Sequence, residues 1–316
     1  MTVRELTFPL VPRRRLTGLA FGAMHSARRG TGSDVAGSRP YGSGDDMKTI
    51  DWFASARLSS AHDQDEFIVR EWFAEEAPRV TIVSDRRPEM RLFPSELPWL
   101  HKPAAVQAAG GLIADSTADA RGFVGYLDLA NVDHPDESER APIFWRAPNS
   151  NREHWRVKES HLLWPHWHAP ADNLTQALEH LTLVRQSMPA GSFVFVLSDF
   201  LVAPSAESWL TAVEHRWDIV PVVIQDPVWE QSFPPVGSIV VPLADPQTGR
   251  IRPVRLRARE ARERKAANEE RLKRLLYDFR AHDLEPILIS SSDPAEILEA
   301  FLSWADHRLA GRRYRR

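Results

Sequence analysis

Val80-Thr-Ile-Val-Ser84, followed at once by Asp85, is a short, continuous, β-branched run that stops on a carboxylate. A run of this kind suits a strand buried on both faces, as in a parallel sheet covered by helices. Working outward, the pattern recurs. Phe123–Leu129, the weaker Ile143-Phe144-Trp145, Ser192–Leu197 ending abruptly at Ser198-Asp199, Ile219–Ile224 and Pro286–Ser290 are further strand candidates. The intervening segments have helical period: one within Pro98–Thr117, one from Asp172 to Arg185 with Leu174, Leu178 and Leu181 on one face, and one around Ser205–His215. A charged amphipathic helix is expected over Arg257–His282 with Leu272, Leu275, Leu276 and Phe279 inward. A closing helix starts at Asp293-Pro294 and runs through Ile297, Phe301 and Trp304. This alternation predicts an α/β, doubly wound, mostly parallel sheet of Rossmann-like type.

Upstream of Val80 the sequence is rich in Gly, Ser and charge and shows little sustained period, so residues 1–78 form an N-terminal extension to a main α/β domain of residues 79–316. A turn is expected at Asp245–Gly249, an irregular segment rich in Trp, His and Pro up to Pro170, and a basic, frayed tail over Arg308–Arg316.

Composition narrows the function classes. The 316 residues hold 40 Lys+Arg against 43 Asp+Glu, a formal charge of -3, which gives no global reason to bind a phosphate backbone. There is no cysteine, which removes disulfides, thiolate metal sites and a Cys nucleophile. The longest apolar runs are far short of the roughly 20 residues of a membrane-spanning helix. Arg13–Arg15 is followed by no apolar stretch or small-residue cleavage site, so a cytoplasmic protein is expected.

One string in the extension is chemically specific: Arg39-Pro-Tyr41, Gly44-Asp45-Asp46, Ile50-Asp51-Trp52, Ala54 and Ala56-Arg57 stand in continuous order. The string resembles the hallmark of the family catalogued as domain of unknown function fifty-eight, and the Val80–Asp85 strand follows it where that family would have one. The resemblance implies a von Willebrand factor A-like α/β domain with a family-specific N-terminal extension, associated with a MoxR-type AAA+ ATPase in the assembly or maturation of other proteins. In physical terms Gly42 and Gly44 permit tight turns, and Asp45, Asp46 and Asp51 can pair with Arg39 or Arg57 or cap a helix. The string is either a structural clasp or a partner-docking surface, and Trp52 is read as core.

The resemblance also raises a metal site. Von Willebrand factor A-like domains hold a divalent cation above the strand ends with Asp-x-Ser-x-Ser, a Thr and a further Asp. Here the first loop is Asp85-Arg86-Arg87-Pro88-Glu89, with both serines replaced; Asp172 takes the place of the Thr, and Asp199 matches. A guanidinium at Arg87 would neutralise these carboxylates internally and repel an entering cation, so an internal ion-pair cluster is favoured. The alternative is Mg²⁺ on Asp85, Asp172, Asp199 and Glu89.

His154, His161, His166 and His168 match no zinc signature and are read as ordinary loop residues; the nearby Trp145, Trp155, Trp164 and Trp167 are read as loop packing. Neither a Gly-x-Ser-x-Gly elbow nor a Walker-type loop occurs. The Arg/Lys density of Arg252–Arg274 fits a solvated helix with internal ion pairs. The sequence therefore points to a non-enzymatic interaction or adaptor protein with a protein partner, no cofactor and no nucleic acid. The competing expectation is a divalent-metal-dependent hydrolase using the strand-end aspartates or the histidines.

Overall fold

All six strand candidates lie in one sheet. The computed structural model describes residues 6–13, 24–42, 45–62, 65–91, 100–130, 142–149, 152–164, 166–245 and 250–313. Along the chain these contain β1 (Met24–Pro40), α1 (Trp52–His62), β2 (Ile68–Glu76), β3 (Arg79–Ser84), α2 (Lys102–Asp119), β4 (Phe123–Asp128), β5 (Phe144–Asn149) and α3 (Arg152–Leu162). There follow α4 (Asn173–Leu183), β6 (Phe193–Ser198), α5 (Ala206–Glu214), β7 (Asp218–Ile224), β8 (Ile239–Ala244), β9 (Ile251–Leu256), α6 (Ala258–Ala281), β10 (Ile287–Ile289) and α7 (Pro294–Arg313). The central sheet has the order β10-β7-β6-β3-β4-β5. All neighbours pair in parallel except β5, which runs antiparallel to β4. This is the doubly wound, mostly parallel sheet that the sequence predicts, and its strand order reverses between β3 and β6.

That reversal matters because the chain crosses to opposite sides of the sheet after β3 and before β6, leaving a crevice at the carboxyl ends of these two strands. Both strands are buried along nearly their whole length, as their unbroken apolar runs require. One face packs against α2 and α7 through Val80, Ile82, Phe195, Ala105, Ile113 and Phe301. The other packs against α4, α5 and α6 through Val83, Val194, Leu178, Trp209 and Phe279. Asp293 starts α7 as expected, its carboxylate accepting from the Ala295 N–H at 2.7 Å.

Two expectations need correction. The segment read as irregular up to Pro170 contains α3, whose core-facing positions include Lys158, His161 and Leu162, with Trp155 packed against the core. Polar residues occupy positions where an apolar period would have announced the helix. The tail read as frayed from Arg308 is helical to Arg313, and Arg308 is buried, forming two 2.9 Å bonds to the Asp218 carboxylate and one to the Val11 carbonyl. That last bond belongs to a segment, residues 6–13, that enters the main core: Phe8 lies 4.7 Å from Phe301 and edge-on to Phe195. The extension's own strands, β1 and β2, pair separately as an antiparallel ribbon with several register shifts. The turn expected at Asp245–Gly249 joins the antiparallel pair β8–β9, and its residues 246–249 lie outside the described ones.

Lys158 is fully buried and donates to the carbonyls of Val124 and Ala147, tying α3 to β4 and β5. Burial, reinforced by the Arg146 charge, pushes its ammonium down from 10.5 to about 8. Between these values the unfolded chain holds the proton that the folded chain has released, so stability rises with pH across this window. Urea midpoints measured from pH 7.5 to 10.5 should climb for the wild type and stay flatter for Lys158→Met; parallel profiles would show that Lys158 does not titrate in this range.

Candidate functional site

The strand ends around the crevice carry charge in an otherwise apolar core. Asp85 follows β3, Asp199 follows β6, and both are completely buried. Phe200, directly after Asp199, adopts a left-handed backbone with φ 50°, an uncommon conformation for a bulky residue. The turn is held by the Phe200 N–H on Ser198 Oγ at 2.9 Å and the Leu201 N–H on Asp199 Oδ1 at 3.0 Å. These contacts fix the Asp199 carboxylate over the sheet.

Arg87 fills the space between the two aspartates. Its Nε and Nη2 donate to the Asp85 carboxylate at 2.6–3.1 Å, and Nη2 also donates to Asp199 Oδ1 at 2.6 Å. Asp85 further accepts from the Arg87 N–H at 3.0 Å, Ser198 Oγ at 2.6 Å and Asn173 Nδ2 at 3.2 Å. On the far side, Lys102 Nζ at the start of α2 bridges Asp199 Oδ2 at 2.8 Å and Glu230 Oε1 at 2.5 Å. The cluster therefore sets two cations against three carboxylates within one connected, desolvated network.

Its ionisation follows from that count. Burial alone would raise the Asp199 carboxyl, but Lys102 and Arg87 outweigh it and hold it below the ordinary carboxylate range. Burial would lower the Lys102 ammonium, yet Asp199 and Glu230 hold it above its usual value. Glu230 goes the other way: burial, aided by the nearby Asp199 charge, raises it despite Lys102. Of the two carboxylates bridged by Lys102, Glu230 is thus the one that more readily takes a proton.

A divalent cation does not fit this donor set. The oxygens of Asp85 and Asp199 that would ligate it are bound by a guanidinium, and the second oxygen of Asp199 is bound by an ammonium. Asp172 is exposed, with its carboxylate bonded to Gln176 Nε2 at 3.0 and 3.1 Å, so the second loop reaches Asp85 through Asn173 instead. Glu89 is half-buried on the short helical turn Pro88–Arg91, with no bond to the cluster among the described residues. Among the described residues no group of three or more His, Asp or Glu is placed to hold a metal ion.

A second buried network lies on the other flank of β3. Arg86 Nε donates to Asp128 Oδ2 at 3.0 Å, Tyr126 Oη donates to the same oxygen at 2.9 Å, and His161 Nε2 lies 2.9 Å from Asp128 Oδ1. Arg86 also bonds the carbonyls of Trp164 and His161 and lies 4.8 Å from the Trp167 ring. The His161 ring stacks on Phe144 at 3.6 Å. Of the four histidines, His161 is thus a structural element; His166 and His168 sit 5.9 Å apart by ring centre, and His154 lies on α3 with its side chain outside the described residues. Trp155 and Trp167 pack against the core, as the sequence suggests.

Lys102, Asn173, Asp128 and Glu230 were not singled out from sequence. Asp128 is an acid inside the apolar run Phe123–Leu129, near its end, and an acid at such a place is a signal of its own. No local pattern marks Lys102 or Glu230, which are brought in by α2 and by the loop after β7.

The motif in the extension has a different character. Arg39 grips Asp45 with two 2.6 Å bonds, and this pairing, followed by the Gly42 N–H, lowers the Asp45 carboxyl to about 2. Asp46 accepts from the Lys48 N–H at 3.0 Å. Asp51 caps α1 through the Ala54 N–H at 3.1 Å and pairs with Arg70 of β2 at 2.7 Å, a partner the motif itself does not contain. Tyr41 Oη donates to the Asp45 carbonyl, and Arg57 Nε donates to the Phe53 carbonyl, its one bond among the described residues. Gly44 lies outside the described residues. Trp52, read as core, is 58% exposed, and its neighbour Phe53 is 83% exposed. The reason is that α1 packs on β2 through Ser55, whose hydroxyl bonds the Ile68 N–H at 2.9 Å and the Asp51 carbonyl at 2.7 Å, leaving the aromatic positions outward.

The family model described as "Protein of unknown function DUF58" matches residues 37–274, from the clasped motif through both networks into α6. The chain belongs to this family. Among solved structures, this DUF58 chain is similar to the conserved hypothetical protein BatB from Bacteroides thetaiotaomicron, with 14% identity over 72% of this chain and 99% of that one, TM-score 0.37. It is also similar to an aerotolerance-related membrane protein from Bacteroides fragilis NCTC 9343 (12% identity, 73% and 99% coverage, TM-score 0.37) and to the pilus adhesin SpaC from Lactobacillus rhamnosus GG (9% identity, 74% and 31% coverage, TM-score 0.41). No functionally curated protein matches the sequence.

Two outcomes test the strand-end cluster of this DUF58 protein. Arg87→Ala leaves Asp85 and Asp199 buried without their shared counter-charge and should cost about 3–5 kcal/mol in denaturant unfolding; a loss within error of zero would mean the pair is solvated in solution. The wild-type melting temperature should be indifferent to EDTA and to millimolar Mg²⁺ or Mn²⁺, and a rise on adding either ion would overturn the replacement of the metal by Arg87.

Proposed function

We propose that this protein is a non-enzymatic adaptor that docks a protein partner through the exposed aromatic surface of its family motif. The observation that carries the reading is the division of labour within residues 39–57. The motif's carboxylates are consumed internally by Arg39, Arg70 and backbone N–H groups, while Met47, Trp52 and Phe53 face solvent. These side chains adjoin a cavity of about 300 Å³ lined by Lys48, Thr49, Ile50, Asp51, Trp52, Phe53 and Arg70. The motif is thereby both clasp and surface: ion pairs fix the backbone, and the aromatics it displays are of the type that dominates binding energy at protein interfaces.

The family resemblance names a MoxR-type AAA+ ATPase as the partner and the assembly or maturation of other proteins as the setting, and both belong to this proposal. A cytoplasmic location is part of it too; among the described residues no helix is long and apolar enough to cross a membrane. The charges at the strand-end crevice are buried and bound to one another, which favours the motif over the strand ends as the contact.

Binding of the full-length chain to the purified MoxR-type ATPase, measured by calorimetry, tests the assignment. Trp52→Ala/Phe53→Ala should weaken binding by about 2 kcal/mol or more, near thirty-fold, with the fold intact, because both side chains are exposed. Unchanged affinity in this variant, or loss confined to a strand-end variant such as Asp199→Asn, would move the docking surface away from the motif.

A further inference from the structure

The geometry points to a second surface, formed by the β8–β9 hairpin and the first half of α6, that attaches the protein to an anionic phospholipid bilayer. Although the whole chain has a formal charge of -3, residues 250–265 contain eight Arg or Lys and two Glu, and every one of these basic residues is exposed. Internal pairing leaves much of this charge uncompensated. Arg259 bonds Glu263 at 2.7 Å and Lys265 approaches Glu269 at 3.8 Å, while Arg252, Arg255 and Arg262 have no carboxylate partner among the described residues.

The hairpin adds an apolar face. In its register Val240 opposes Arg255, Pro242 opposes Pro253 and Ala244 opposes Ile251, and opposed residues share one side of a two-stranded sheet. The other side carries Leu256 and, beside it, Val241 and Val254, which pack onto Phe233, Trp229 and Ala261. The outer side is left to solvent, with Val240 61% and Ile251 68% exposed beside the two exposed prolines. A β-ribbon with aliphatic residues outward and arginines among and behind them is matched by the boundary between acyl chains and acidic headgroups.

Other anionic partners fit less well. A nucleic-acid phosphate backbone gives Val240, Ile251 and the prolines nothing to bind. A protein partner would be expected to find aromatic anchors, as at Trp52 and Phe53, whereas the apolar residues of this face are aliphatic residues and proline. Strand addition is disfavoured too: opposed prolines cannot exchange ladder bonds, so positions 242 and 253 are where each edge would direct an N–H outward, and proline has none.

The test is co-sedimentation of the full-length protein with vesicles of phosphatidylcholine alone and of phosphatidylcholine with about a third phosphatidylglycerol, at about 0.1 M salt. Binding is expected only to the anionic vesicles. Arg252→Ala/Arg255→Ala should weaken it about thirty-fold, and Val240→Ser/Ile251→Ser about tenfold or more, with unchanged thermal unfolding of both variants. Absence of binding, equal binding to neutral vesicles, or full retention by the serine variant together with competition by duplex DNA would each overturn the assignment, the last in favour of a nucleic-acid surface.

Discussion

The guanidinium of Arg87, held between Asp85 and Asp199, is the interaction on which the centre of the molecule depends. Two parallel strands that end on buried carboxylates side by side would repel each other at the point where the sheet reverses its winding. In low dielectric that repulsion is severe, and a metal ion, a cationic side chain or a proton must relieve it. The chain supplies the side chain from the same loop as one aspartate, with Lys102 as a second from α2. The helix start, two strand ends and the loop that carries Glu230 are in this way locked into one polar network.

Most of this architecture was legible because buried parallel strands write themselves as unbroken apolar runs; five such runs are the parallel strands of the sheet, and the weaker Ile143-Phe144-Trp145 marks its antiparallel edge. The substitution of serines by Arg87 and Glu89 was equally visible, and with it a guanidinium beside the two aspartates. Less legible were features set by tertiary context. α3 was hidden because Lys158 and His161 occupy its inner face, each satisfied by partners far away in sequence. The choice of Asn173 over Asp172 depends on one residue of phase at the start of α4, and no pattern in the sequence fixes that phase. Trp52 was misjudged on the general preference of tryptophan for the interior, which its neighbour Ser55 overrides by taking the contact with β2.

Polar chemistry is distributed in this protein according to burial. Two networks buried under the strand ends, around Arg87 and around Asp128, serve to fix loops. The motif's ion pairs lie near the surface, where each contributes little to stability, and their effect is geometric: they set the backbone that presents the aromatics. The arginines of β9 and α6 are left largely unpaired, so their charge is available to something outside the molecule.

The bond from Arg308 to the carbonyl of Val11 joins residues 297 positions apart, and the same guanidinium grips Asp218. A chain emerging from the ribosome can seat Phe8 against Phe195 and Ser116, but its contacts with Phe301 and Trp304 and the bond to Val11 wait until α7 is complete. Sheet and early helices can form vectorially, but the seam between residues 6–13 and α7 closes only after synthesis has passed it. Until then this early apolar segment lacks the cover of Phe301 and Trp304 and the bond that anchors Val11.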